Sequence, residues 1–155
     1  MSQTELKIVL FLHLVAAVCA IATSTHLLLR LIRTWRSHGA YVAQIRIHAI
    51  LAGGAYLVAM ALGALLYPAF RLQVRGELFD AHMPWLTGLF EIKEHLASLG
   101  LVPAIGILVL SRVLDFRSHD DRRYLGFYGS LVAVLLGVLV YNACTGWYLG
   151  SVKSL

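Results

Sequence analysis

Four apolar segments, at residues 6–33, 41–70, 86–111 and 124–149, each run longer than the ~20 residues that carry a helix across a bilayer. A segment of that kind has few folds open to it: in lipid every backbone N–H and C=O must find its partner inside the segment, which a helix provides and an open strand does not. The chain has 155 residues, 59% hydrophobic and 14% charged, whereas soluble domains carry roughly 25% charged residues. These features predict an all-α fold, an integral membrane four-helix up-down bundle formed as a single domain over residues 1–155.

The first segment reads as a span and not as a leader. MSQTELK sets Glu5 beside Lys7, the apolar run that follows is long, and no A-x-A site closes it. The net charge of +5 does not point to nucleic acid, because the basic residues gather at the ends of spans and form no stripe. Arg30, Arg33, Arg36 and Arg46 flank the first connection and Arg112, Arg117, Arg122 and Arg123 the third, eight against the five of Lys7, Arg71, Arg75, Lys93 and Lys153. By the positive-inside rule both termini face outward, the periplasmic side if the membrane is a bacterial inner membrane. Cys19 lies deep in the first span and Cys144 near the outer end of the fourth, ~12 Å apart in depth, so no disulfide joins them.

The connections differ in kind. RSHGA and DFRSHDDRR are short and make helices 1–2 and 3–4 neighbours. AFRLQVRGELFDAHMPW is expected to leave the second helix at Tyr67-Pro68 and lie along the interface through Phe70, Leu72, Leu78, Phe79 and Trp85. Pro103 is expected to kink the third helix.

Seven histidines are present. His38, His82 and His119 fall in connections and read as solvated. His13, His26, His48 and His95 fall inside spans, where ionisable residues face the bundle interior or a cavity and mark function. Counted from the outer side, His13 and His95 lie at similar depth in helices 1 and 3. Counted from the inner side, His26 and His48 match in helices 1 and 2. The two levels are ~20 Å apart along helix 1. Paired imidazoles on facing helices, lined by small residues such as Ala16, Ala17, Ala20, Gly53 and Gly54, suit the ligation of haem b iron from both sides. Arg30 near His26 and Lys93 near His95 are candidates for the propionates. In GLFEIKEH, Glu91 and His95 stand four apart on one helix face, so the Glu91 carboxylate is expected to accept the free ring N–H of a metal-bound His95.

This organisation resembles the four-helix membrane b-type cytochromes of the di-haem kind. The resemblance implies one or two haems b, iron held by His13, His95, His26 and His48, and electron transfer between quinone or quinol and another redox protein, with other membrane subunits as possible partners. In many such proteins two ligands on one helix are spaced to share a face, whereas here the 13 residues between His13 and His26 leave them ~140° apart. The outer pair, on helices free to be diagonal, is therefore the stronger of the two. An electron-transfer protein fits better than a stand-alone enzyme. An early histidine, an arginine at the inner end of helix 1 and a lysine in helix 3 also resemble the membrane protoporphyrinogen oxidase family called HemJ, which would give His13, Arg30 and Lys93 the functional positions. A non-haem metal site or transporter built on Glu91, Glu94, His95, Asp80 and His82, and a structural subunit without cofactor, complete the readings.

Overall fold

The computed structural model describes residues 2–36 and 41–153. It is helical throughout: α1 (Gln3–Arg36), α2 (Val42–Phe70), a π-helical segment (Arg71–Phe79), α3 (Asp80–His82), α4 (Pro84–Leu99), α5 (Leu101–Val113), α6 (His119–Arg122) and α7 (Leu125–Lys153), with no strand among the described residues. Four helices, Gln3–Arg36, Val42–His82, Pro84–Val113 and Leu125–Val152, are long and apolar enough to cross a membrane. His38 lies outside the described residues.

The packing follows a seven-residue rhythm visible in the buried positions. On α1 these are Ala20, Ser24, Leu27, Leu31 and Thr34, and on α2 Ile45, Ala49, Ala52, Tyr56 and Ala59, with Gly53 beside Ala52. Such spacing keeps one seam facing a partner helix that crosses at a shallow angle. The seams are rich in small side chains, which let backbones approach closely. Leu108 of α5 rests so near the Gly53 backbone that a Cβ there would come within 2.5 Å of it. The most extensive packing joins α1 to α2, while α7 packs on α1, α4 and α5, and α5 on α2. The pairs that pack extensively do not include α1 with α4 or α5. Outward faces stay apolar, with Phe11, Val18, Val102 and Trp147 all more than 60% exposed.

The second helix does not stop at Tyr67-Pro68. Pro68 sits inside it, and the N–H of Arg71 still reaches the carbonyls of both Tyr67 and Pro68. The chain then continues as the π-helical segment Arg71–Phe79. Apolar burial sustains the continuation: Val74 and Phe79 join Leu86, Phe90 and Leu149 in a second cluster. The residues expected along an interface thus divide, with Phe79 fully buried, Phe70 half-buried against Phe90, and Leu72 and Trp85 exposed. The Leu78 side chain is outside the described residues.

The third helix breaks as its proline requires. α4 ends at Leu99 and α5 begins at Leu101, with Gly100 between them and Pro103 buried in the first turn of α5. The Tyr56 hydroxyl crosses from α2 and donates to the Ala97 carbonyl beside the break. Gly100 makes this possible, because a Cβ there would occupy the space of the Tyr56 ring and hydroxyl.

Candidate cofactor site among the span histidines

His13 of α1 turns toward α2, where its Nδ1 donates to the Ala59 carbonyl at 2.8 Å. The contact depends on Gly63, one turn further along α2, whose missing side chain leaves room for the imidazole: a Cβ there would lie 3.3 Å from His13 Cε1. A carbonyl oxygen only accepts, so Nδ1 carries a proton, and in the neutral ring Nε2 keeps its lone pair. His95 reaches the same state within its own helix, Nδ1 donating to the Glu91 carbonyl at 2.7 Å, and His48 does so through the Gln44 carbonyl at 2.7 Å. Three of the four span histidines thus have Nδ1 held by a backbone carbonyl, which in the neutral ring makes Nε2 the nitrogen able to bind a metal.

The expected role of the Glu91 carboxylate differs from its observed one. Its Oε1 accepts from Arg75 Nη2 at 2.7 Å, and Arg75 Nε also lies 3.5 Å from Asp80, which in turn accepts from Thr87 at 2.6 Å. Arg75 comes from the π-helical segment that the sequence pattern does not reveal, so the competing partner is not legible there. Glu91 serves His95 through its main chain and Arg75 through its side chain.

The two depth-matched pairs fare differently. His26 and His48 meet, with ring centroids 5.8 Å apart and planes inclined by 49°. No ring contact joins His13 to His95 among the described residues, and their helices are not among the extensively packed pairs. His13 instead has Lys93 within electrostatic reach. Lys93 is half-buried, with its Nζ 5.6 Å above the Phe90 ring and its Cε close to Gly146 of α7, where a Cβ would lie 3.6 Å away. Arg30 stands at the other end of α1 with its guanidinium 5.2 Å from the Tyr41 ring centre. No group of three or more histidine, cysteine, aspartate or glutamate side chains gathers around a point that suits a metal among the described residues. Asp80, Glu91, Glu94, His82 and His95 therefore do not form the compact site a non-haem reading asks of them.

Compared with known protein families, curated proteins and solved structures, the chain matches none.

Proposed function

We propose that the chain is an integral membrane haem b protein that carries electrons between the quinone pool and a redox partner, folded as an up-down bundle with both termini on the outer face of a bacterial inner membrane. The observation that carries this reading is the shared state of His13, His48 and His95, each with Nδ1 bonded to a backbone carbonyl and Nε2 left as a ligand. Ligand number favours haem among metal centres. A structural zinc site takes four protein ligands and a catalytic one three, whereas a porphyrin supplies four nitrogens and asks the protein for one or two.

Two imidazoles bound to one metal at about 2.0–2.1 Å place their ring centres roughly 6 Å apart, and His26 and His48 stand at 5.8 Å, though on the closely packed α1 and α2, which a porphyrin there would have to part. At the other level, His13 and His95 belong to helices that do not pack extensively on each other. Haem iron would supply one-electron chemistry. The protein's part is to hold the ligand nitrogens, to fix their tautomers through Ala59, Gln44 and Glu91 carbonyls, and to exclude water with the apolar outer faces. Lys93 and Arg30 are the cations available to the propionates.

The test is the visible spectrum of detergent-purified protein from haem-replete cells, oxidised and then reduced with dithionite. A narrow low-spin haem b band on reduction is expected, and weakened by replacing any ligand. Colourless protein, or a spectrum indifferent to His13→Ala, His26→Ala, His48→Ala and His95→Ala, would overturn the proposal.

One observation favours a second reading, the HemJ-like oxidation of protoporphyrinogen: of its three positions, His13 and Lys93 come within electrostatic reach. Arg30 lies 17 residues beyond His13 on α1, ~25 Å along the helix, and does not join them. Appearance of protoporphyrin fluorescence from protoporphyrinogen, abolished by Lys93→Ala, distinguishes this activity from simple electron carriage.

A further inference from the structure

His13 and His95 stand on α1 and α4, helices that are not among the extensively packed pairs. Two elements bridge them. α7 does so by packing on both, and α2 does so through two directed bonds. On one side of α2 the His13 Nδ1 donates to the Ala59 carbonyl. On the other, Tyr56, one turn earlier on the same buried seam, donates from its hydroxyl to the Ala97 carbonyl of α4, two residues beyond His95.

α4 needs that hold because its inner end is loose. Pro103 has no N–H, so the carbonyl of Leu99, four residues before it, receives no donor from the next turn, and α4 gives way to α5 at Gly100. Spanning helices turn at breaks of this kind. The outer end of α4 is tied elsewhere: Phe90 stacks on Tyr67 and Phe70 of α2, ring centroids 6.3 Å and 4.2 Å away, and Glu91 accepts from Arg75. His95 lies between these outer ties and the bond from Tyr56. With Tyr56 in place both ends of the stretch that carries His95 are referred to α2, the helix that also holds the His13 ring.

We propose that Tyr56 is a positioning residue for the outer haem: its bond to the Ala97 carbonyl fixes the swing of α4 about Gly100 and so sets the span between His13 and His95. The proposal rests on the haem reading for the ligands, and on the fold alone for the hinge.

Tyr56→Phe keeps the ring and removes the hydroxyl. With the exposed Cys19 and Cys144 replaced by alanine, spin labels at Phe11→Cys on α1 and Ile92→Cys on α4, both exposed positions, read the distance between these helices in the full chain without haem. Labels at Phe11→Cys and the exposed Leu65→Cys of α2 serve as reference. Tyr56→Phe should broaden the first distance distribution and leave the second unchanged. In the haem-loaded chain it should shift the low-spin EPR signal and the reduction potential of the haem that His95→Ala removes, and weaken the binding of that haem about tenfold. The haem held by His26 and His48 should stay as it was. An unchanged α1–α4 distance would overturn the hinge. Equal changes in both haems, or none in either, would overturn the positioning role, since a general loosening of the bundle does not choose between levels. The label distances are read without haem, so failure of the hinge and failure of the haem reading are seen separately.

Discussion

The Arg75 guanidinium donates to the Glu91 carboxylate at 2.7 Å across sixteen residues of sequence, tying the π-helical segment to the third spanning helix. Both side chains are partly exposed, 24% and 47%, so water screens the pair. Arg75→Gln and Glu91→Gln should each cost little, and a double-mutant cycle should give a coupling of about 0.2–1 kcal/mol, read as detergent-state unfolding.

Glu91→Gln carries a second expectation. His95 bonds to the Glu91 main-chain oxygen, which the substitution keeps, so the reduction potential of a haem held by His95 should not move. A redox titration checks this. A raised potential would return the carboxylate to His95, because losing a charged acceptor makes the imidazole a poorer donor to ferric iron.

Gly63 is the position that gives His13 its partner. A methyl at 3.3 Å from Cε1 is absorbed by a small shift, so Gly63→Ala should keep the Nδ1 bond to Ala59. A β-branched side chain has less freedom to turn away. Gly63→Val should displace the ring, lose the fixed tautomer in the ¹⁵N spectrum of labelled imidazole, and lower haem content as His13→Ala does.

Haem per polypeptide separates one site from two. The contact between the His26 and His48 rings leads to the expectation that His26→Ala and His48→Ala remove the same haem, and that His13→Ala and His95→Ala remove another. Pyridine haemochrome should read two per chain, falling to one in each single variant. A ratio of one that survives both His13→Ala and His95→Ala would leave the inner pair as the sole site.

Orientation is tested by labelling. In a background with Cys19→Ala and Cys144→Ala, Gln73→Cys and Ser151→Cys should react in intact cells and Ser118→Cys only after permeabilisation. The reverse pattern would exchange the outer and inner levels.

The long helices were legible because apolar length acts locally. Their seams, Ala20, Leu27 and Leu31 on α1 and Ile45, Ala49 and Ala52 on α2, came only with the packing. The break near Pro103 was legible for the same reason, since a proline acts on its own turn. The continuation through Pro68 was not: a proline followed by the polar RLQVRGELF reads as a connection, and Val74 and Phe79 are held by Leu86, Phe90 and Leu149, contacts that no local pattern contains. Depth matching brought His26 and His48 together correctly, because depth is set by rise per residue. It left His13 without its acceptor, because the Ala59 carbonyl is backbone and carries no residue signature.

The bond from Tyr56 to the Ala97 carbonyl and the bare backbone of Gly100 make one device out of two distant positions. Neither works alone: a side chain at 100 needs the ring at 56 gone, and without the hydroxyl at 56 a carbonyl beside the proline break loses a donor. Among descendants of a common ancestor these two sites should therefore evolve as a linked pair. Lineages that acquire alanine or a larger residue at 100 should also have shed the tyrosine at 56, and with it the selective pressure to keep proline at 103.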